Sequence, residues 1–306
     1  MSRAIPSRAH IATEAANPRT EELDTLSIAD ALTIVQREDA RIHSAIAAAH
    51  AEIAAAITLI HERLQRGGRL FYVGAGTSGR LGVLDAVECP PTFRSSKEQV
   101  QGILAGGQGA MFESLEGAED SDSEAAQELR ARNLEAKDVV FGITAGGTTP
   151  FVHGALAFAC EVEAGSVMLA CVPFDQAPDQ ADVSIRLATG PEILQGSTRL
   201  KAGTATKLVL NSISTLVMVQ LGKVFGNRMV DVNTSGNIKL QDRGIRLVQE
   251  LCELDRTQAE ECLAAAGGEV KLALLMHKLG LGREEARALI KGHAGHLRRA
   301  LKQKQP

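Results

Sequence analysis

Aromatic side chains are scarce in this chain. None of its 306 residues is a tryptophan, one is a tyrosine, and aromatic residues make up 3% of the sequence. Proteins that recognise sugars or bases by stacking need aromatic platforms. Any sugar bound by this chain is therefore expected to be held by hydrogen bonds and charge.

The cysteines fit neither a metal site nor a disulfide framework. Their number is odd and their positions are scattered: Cys89, Cys160, Cys171, Cys252 and Cys262. No C-x-x-C pair or Cys/His cluster occurs among them. This pattern is typical of reduced thiols in a cytoplasmic protein, and it predicts neither a metal nor a redox cofactor.

Long basic runs and long apolar segments are lacking as well. The formal net charge is −4, which argues against a nucleic-acid partner. The most apolar stretch, Leu208–Val219, is interrupted by Asn211 and two serines and is too short to cross a membrane. The first ten residues have no apolar core of the kind that signal peptides contain. We therefore predict a cytoplasmic protein without a membrane or nucleic-acid partner.

Helical periodicity dominates the N-terminal part of the chain. Residues 1 to about 18 show no pattern, and we expect them to be loosely attached. Thr25–Arg37 and Ala40–Gln65 carry isoleucines and leucines at helical spacing and predict a helical hairpin that ends at Gly67-Gly68. This part, residues 1–66, is the first predicted domain.

Short apolar runs then alternate with helical segments. The strand candidates are Arg69–Val73, Gln99–Leu104, Asp138–Thr144, Ser166–Val172 and Val183–Leu187. The helical segments are Gly79–Glu88, Ser123–Arg132, Pro150–Glu163 and Lys201–Leu221. Such alternation predicts an α/β domain, residues 67–225, with a parallel sheet covered by helices on both faces.

The sequence predicts that the last part of the chain is helical. An irregular crossing, Gly226–Lys239, leads to predicted helices at Leu240–Glu253, Thr257–Ala265, Val270–Lys278 and Gly282–Leu301. We assign residues 240–306 to a small helical subdomain. His293 and His296 fall on its last predicted helix, and because no third ligand is evident they do not indicate a metal site.

The loop Gly74–Gly79 follows the first strand and opens a helix. Its glycines expose backbone N–H groups, Thr77 and Ser78 add hydroxyl donors, and a helix N-terminus attracts anions. The loop has neither the glycine spacing of a dinucleotide-binding turn nor the Gly-Lys-Ser/Thr of a P-loop. It predicts a phosphate-binding loop, with an ordinary tight turn as the alternative.

Two further segments repeat this chemistry. The loop Thr144–Pro150 follows the third strand, and loops at the carboxyl ends of parallel strands bind ligands in open α/β sheets. Hydroxyls and charges also crowd the helix start that follows Gly190-Pro191-Glu192. Ordinary helix capping explains the loop Thr144–Pro150 as well as ligand binding does, whereas one helix start rarely needs as many donors as the last segment contains for capping alone. From the three segments we predict these contacts to a sugar phosphate: Gly76, Thr77, Ser78, Gly79, Thr144, Thr148, Thr149, Glu192, Ser197, Thr198, Arg199 and Lys201.

Two glutamates occupy distinctive positions. Glu88 precedes Cys89-Pro90-Pro91, and Glu119 lies just before the helix-capping pattern Ser121–Glu124. By residue type alone, both are expected to be exposed surface charges.

Several segments resemble the bacterial N-acetylmuramic acid 6-phosphate etherases. They are GAGTSGRLGVLDAVECPPTF at Gly74–Phe93, EGAEDS at Glu116–Ser121, GSTRLKAGTATK at Gly196–Lys207, LVLNSIST at Leu208–Thr215 and GKVFGNRMVDV at Gly222–Val232. The similarity extends from about Ile28 to Leu301. The chain departs from the usual pattern at Gly146, Thr148 and Gln195, and Asn233–Asn237 is one residue longer than usual.

The resemblance implies a sugar isomerase (SIS) domain, an αβα sandwich with a parallel sheet, working as a homodimer and followed by a UBA-like helical subdomain. It implies cleavage of the D-lactyl ether of N-acetylmuramic acid 6-phosphate, in peptidoglycan sugar recycling, to N-acetylglucosamine 6-phosphate and D-lactate. No cofactor is implied. Glu88 and Glu119 would be the catalytic residues, with Glu88 as acid/base.

Two other functions remain open on the sequence. One is an SIS aldose–ketose isomerase, and the other is a regulatory protein that senses a sugar phosphate. A geometric question also arises, because a continuous helix from Gly79 to Glu88 would place Glu88 about 14 Å beyond the loop. We therefore expect either a site shared between two protomers or a helix that breaks early.

Overall fold

The computed structural model describes residues 7–232, 234 and 238–302. It divides into two compact units, one of Met1–Val87 with Glu98–Ser214 and one of Glu88–Lys97 with Thr215–Pro306. The lengthened segment Asn233–Asn237 lies, apart from Thr234, outside the described residues.

A five-stranded parallel sheet forms the centre of the first unit. Its strands are β1 (Leu70–Gly74), β2 (Val100–Leu104), β3 (Val139–Thr144), β4 (Gly165–Ala170) and β5 (Val183–Arg186), in the order β2-β1-β3-β4-β5. In the register, Tyr72 on β1 pairs with Gly102 on one side and Phe141 on the other. Every residue of β1, β3 and β4 is buried, as expected for strands with helices on both faces. The predicted parallel sheet is confirmed.

Helices surround and connect these strands. They are α1 (Ile28–Asp39), α2 (Arg41–Ala48), α3 (His50–Gln65), α4 (Gly76–Phe93), α5 (Gly109–Phe112), α6 (Asp122–Ala131), α7 (Pro150–Glu161) and α8 (Lys201–Gln220). The prediction of one continuous helix from residue 40 to 65 was wrong, because the chain bends by 60° between α2 and α3. The prediction that a helix ends at Glu88 was also wrong, because α4 continues through Pro90 and Pro91 in its last turn.

From residue 7 onward the N-terminal segment is attached to the sheet, which corrects the expectation of a loose arm for this part of the chain; residues 1–6 lie outside the described residues. Ile11 is 1% exposed and packs on Ala170, Val172 and Ala177. The Ala12 N–H donates to Gln176 Oε1 at 2.8 Å. These partners lie more than 150 residues away in the sequence, so no local pattern announces the contact.

The second unit contains a helical core. Its elements are the hairpin β6 (Val224–Phe225) and β7 (Arg228–Met229) and the helices α9 (Ile238–Cys252), α10 (Arg256–Ala265), α11 (Val270–Leu279), α12 (Arg283–Gly292) and α13 (Leu297–Lys302). The single helix predicted at Gly282–Leu301 is two helices. Ala294 (φ 50°) and Gly295 (φ 81°) leave the helical conformation, so His293 and His296 lie in this break.

Helix α8 has the length and composition of a membrane span, but half of its apolar window is buried inside the structure. The core helix of a soluble protein has the same properties. Taken together, α1–α2 and α3 are also long and apolar enough for a membrane span, but a 60° bend separates them.

Candidate active site

The order of the strands places a crevice above β1 and β3. From β1 the chain crosses to β2 on one side and from β3 to β4 and β5 on the other, so the order reverses between β1 and β3. In open α/β sheets ligands bind at this reversal, outside the carboxyl ends of the strands. The loops after β1 and β3 are the two that the sequence predicted to bind phosphate.

The first loop is tightly wound against its own strand. Gly76 has a φ of 52°, which favours glycine, and α4 begins there. A Cβ on Gly79 would lie 2.4 Å from the Gly74 carbonyl oxygen, so only glycine fits at this approach of helix to strand. Gly79 shapes the loop, while Thr77 and Ser78 are half-buried at its surface.

The second loop is ordered by its own threonines. Thr144 Oγ1 lies 2.8 Å from Thr149 Oγ1 and accepts a hydrogen bond from the Gly147 N–H at 3.2 Å. Pro150 then starts α7, where its missing N–H has no intrahelical role. The N-terminus of α7 therefore faces the same crevice as that of α4.

A polar cavity of about 270 Å³ lies between these loops. Backbone and hydroxyl groups form most of its wall, together with two carboxylates and one guanidinium. Its lining residues are Arg8, Ile11, Glu14, Ala75, Gly76, Thr77, Ser78, Glu119, Thr144, Ala145, Gly146, Thr148, Thr149, Gly196 and Thr198.

A larger cavity of about 560 Å³ lies at the edge strand β2, beside Val83, Met111 and Phe112. It has no loop from the point of strand reversal and no cluster of hydroxyl donors. We therefore assign the site to the smaller cavity, whose groups suit an anionic sugar.

Glu119 reaches the cavity from a short 3-10 helix, Ala118–Asp120. Gly117 (φ 76°) turns the chain into it, and the Ser121 hydroxyl accepts a hydrogen bond from the Glu124 N–H at 3.2 Å to start α6. The carboxylate is thus held at the end of a defined turn.

Comparison with known proteins shows which family the chain belongs to. Residues 52–160 match the signature of the glucokinase regulatory protein N-terminal SIS domain. An N-acetylmuramic acid 6-phosphate etherase of a Synechocystis species is 55% identical over 297 residues, with 97% of each chain covered. That of Gloeothece citriformis is 54% identical with the same coverage. This chain belongs to the N-acetylmuramic acid 6-phosphate etherase family. Among solved structures, a phosphoheptose isomerase from Francisella tularensis is similar with a TM-score of 0.47 and 14% identity, covering 63% of this chain and 100% of that one.

The fold of this etherase-family protein brings eight of the predicted site residues to one cavity. They are Gly76, Thr77, Ser78, Glu119, Thr144, Thr148, Thr149 and Thr198. The remaining predicted residues do not line it: Gly79, Glu88, Glu192, Ser197, Arg199 and Lys201.

Glu192 and Lys201 have internal partners that account for their burial. The Glu192 carboxylate accepts hydrogen bonds from the backbone N–H groups of Lys201 and Ala202, both at 2.9 Å, and so caps α8. Burial raises the pKa of Glu192, and these two N–H groups offset part of that effect. Lys201 Nζ lies 2.6 Å from Glu38 Oε2, and both side chains are nearly inaccessible to solvent. These contacts stabilise the start of α8, and neither side chain lines the cavity.

Glu88 lies on the exposed surface of α4. Because α4 is continuous from Gly76 to Phe93, the expected early break of this helix is wrong, and the separation of about 14 Å along the helix stands.

Three residues of the cavity wall, Arg8, Ile11 and Glu14, lie outside every segment that the sequence predicted to bind phosphate, whereas Ala75, Ala145, Gly146 and Gly196 lie within those segments. The first three belong to the N-terminal segment, which has no periodicity, glycine cluster or strand signal. Only a comparison of related sequences or the folded structure brings them to the site.

Proposed function

We propose that this protein is a carbon–oxygen lyase that cleaves the D-lactyl ether of N-acetylmuramic acid 6-phosphate. The products are N-acetylglucosamine 6-phosphate and D-lactate, as required for peptidoglycan sugar recycling. The observation that carries this proposal is the polar cavity at the strand reversal, lined by hydroxyls and Glu119 in a chain of the etherase family. A phosphorylated substrate and five free cysteines fit a cytoplasmic enzyme.

The two loops suit the 6-phosphate of the sugar. The N-termini of α4 and α7 direct partial positive charge into the cavity. Thr77, Ser78 and Thr148 line the same wall with hydroxyl donors. A phosphate bound in this way would fix the position of the sugar in the cavity. The C2 and C3 atoms of the sugar would then extend toward Glu119.

The chemistry needs two carboxyl groups. In the open-chain sugar the C1 aldehyde makes the C2 proton acidic, and a carboxylate removes it. The C3–O bond then breaks, and its electron pair leaves with the lactyl oxygen, which takes a proton from a carboxylic acid. Water adds its oxygen to C3, and a proton returns to C2. General acid–base catalysis of this kind needs both groups within hydrogen-bond reach of the substrate.

We propose that Glu119 and Glu88 are these two groups and that they come from different protomers of a homodimer. Leu84, one helical turn before Glu88 on α4, is 43% exposed, and Val87, one turn after Leu84, is 57% exposed. Apolar side chains clustered on a surface favour burial in an interface. A second copy packed on this face would bring Glu88 to a composite site.

Release of D-lactate from N-acetylmuramic acid 6-phosphate by the purified protein tests the function. Wild type should release it, whereas Glu119→Gln and Glu88→Gln should lose at least 100-fold in kcat, about the contribution of one acid–base group. Glu116→Gln is the matched control, because Glu116 is exposed in the Glu119 loop and does not line the cavity. Deuterium from solvent should appear at C2 of the product.

Two results would overturn the proposal. Formation of a ketose phosphate would identify an isomerase. Tight binding of the sugar phosphate without any turnover would identify a sensor.

A further inference from the structure

Two charged side chains of the N-terminal segment line the cavity without partners of their own. Among the described residues, neither the Arg8 guanidinium nor the Glu14 carboxylate forms a side-chain hydrogen bond or an ion pair. By contrast, the charged side chains that are buried in the described part of the first unit all have partners: Glu38, Asp138, Glu192 and Lys201. Unpaired charges of both signs at one cavity therefore indicate a ligand that carries complementary groups.

The segment that carries them is firmly attached. The Glu14 carbonyl oxygen accepts a hydrogen bond from Gln195 Nε2 at 2.9 Å, and the Thr20 hydroxyl donates to the Ile193 carbonyl oxygen at 2.9 Å. Ile11, between Arg8 and Glu14, is 1% exposed. The segment is thus a wall of the cavity, with a backbone held in place by distant parts of the chain.

Arg8 is the only basic side chain among the described residues that line the cavity. Two other basic side chains of the first unit already have partners: Arg80 donates to the carbonyl oxygens of Ala110 and Glu113, at 3.0 and 2.9 Å, and Lys201 pairs with Glu38. The cavity also contains the carboxylates of Glu14 and Glu119. A substrate with a phosphate and a carboxylate is strongly anionic, so binding it here requires a positive charge.

We infer that Arg8 binds an oxyanion of the substrate and that Glu14 accepts a hydrogen bond from an N–H or O–H of the sugar. This inference rests on the function proposed above and makes the N-terminal segment part of the substrate site. A guanidinium forms bidentate pairs of hydrogen bonds with phosphate and with carboxylate groups. The ammonium group of lysine cannot reproduce this geometry. The oxyanion is therefore either the 6-phosphate or the lactyl carboxylate.

The test combines kinetics with binding of N-acetylglucosamine 6-phosphate measured by calorimetry. Arg8→Gln should raise KM about 10- to 100-fold with a much smaller change in kcat, the loss expected for one charge-assisted hydrogen-bonded pair. Arg8→Lys should recover part of the loss. Glu14→Gln should raise KM about 5-fold. His10→Gln and Glu21→Gln, exposed and outside the cavity wall, are the controls and should match wild type.

The product distinguishes the two oxyanions because it keeps the phosphate and lacks the lactyl group. If Arg8 binds the phosphate, Arg8→Gln weakens product binding by the same factor as it raises KM. If Arg8 binds the carboxylate, product binding is unchanged while KM rises. A KM within twofold of the His10→Gln control would overturn the inference, as would a KM effect accompanied by a lowered unfolding temperature.

A protein that releases no D-lactate would refute the proposed function. In that case calorimetry of the wild type and Arg8→Gln with unreacted N-acetylmuramic acid 6-phosphate, which carries both oxyanions, still decides the role of Arg8. Equal affinities would refute it, and a 10-fold or greater loss would support an oxyanion contact.

Discussion

Asp85 is a half-buried carboxylic acid on α4, beside Tyr72 of the central strand β1. Burial raises its pKa to about 6, and hydrogen bonds with Ser214 and Tyr72, together with the charge of Lys207, offset part of this rise. The Ser214 hydroxyl donates to Asp85 Oδ1 at 3.0 Å. This side chain therefore changes its charge just below neutral pH, inside the fold.

We expect the contribution of Asp85 to the stability of the protein to fall as the pH rises from about 4 to about 6. The pKa of Asp85 in the folded state lies above the ordinary value of 3.8, so the folded protein keeps a proton that the unfolded chain releases in this window. The shift corresponds to at most about 3 kcal/mol at pH 8. Asp85→Asn should not show this loss. Urea unfolding of both proteins at pH 4.5, 6 and 8 measures it.

The exposed Asp24→Asn change provides the control. Its curve should run parallel to that of wild type. If the Asp85→Asn curve is parallel too, the charge of Asp85 does not affect stability.

At the scale of elements, the start of α4 depends on its glycine. In Gly79→Ala the added Cβ would lie 2.4 Å from the Gly74 oxygen and 2.5 Å from Leu104 Cδ1, so helix and strand would have to separate. We expect a loss of about 2–4 kcal/mol in the free energy of unfolding and weakened sugar-phosphate binding. Gly109→Ala, whose Cβ meets no atom within 4 Å, should stay within about 0.5 kcal/mol of wild type. Equal unfolding curves for the two variants would contradict this.

The start of α8 depends on a buried ion pair. The pKa of Glu38 is lowered to about 2, first by its hydrogen bond with Arg19, and further by Lys201 and Asn17. Because the folded-state pKa lies below the ordinary 4.5, this stabilisation is full above about pH 4.5 and is lost as the pH falls toward 2. Lys201→Met should cost about 3–5 kcal/mol at pH 7, since it leaves Glu38 buried with one charged partner fewer.

Measuring the free energy of unfolding at a series of acidic pH values checks this prediction. Glu38→Gln should show a smaller loss between pH 4.5 and 2 than wild type. The exposed Glu22→Gln change should lose as much as wild type does. A Lys201→Met variant as stable as wild type would show that the pair contributes nothing.

The strands were predictable because each is a short apolar run next to a glycine or a turn, as with Val139–Thr144 and its following Ala145-Gly146-Gly147. Parallel strands bring such loops together at one edge of the sheet, so the position of the cavity was predictable as well. Other features depend on contacts between distant residues. The continuation of α4 through Pro90, the break at Ala49, the anchoring of Ile11 and the internal pairing of Lys201 have no local sequence signal.

At the scale of the whole molecule, a site shared between protomers predicts recovery of activity in mixed dimers. Glu88→Gln and Glu119→Gln should each be nearly inactive alone. When the two are co-expressed, half of the dimers contain one chain of each kind, and each mixed dimer has one intact site. D-lactate release should then reach about a quarter of the wild-type rate. Sedimentation should show whether both variants form the proposed dimer.

Two Glu119→Gln chains with different affinity tags provide the control, which should remain inactive. Without recovery in the mixed sample, both glutamates act from the same chain or Glu88 has no catalytic role.

The anchored N-terminal segment also determines when the site can form during synthesis. Residues 11–20 are made first, yet their partners Gln176, Ile193 and Gln195 leave the ribosome some 160–180 residues later. At about 5–20 residues per second, this is a delay on the order of 10 seconds or more. The cavity wall therefore cannot be completed until residues 176–195 have been synthesised, which makes the substrate pocket a late product of translation.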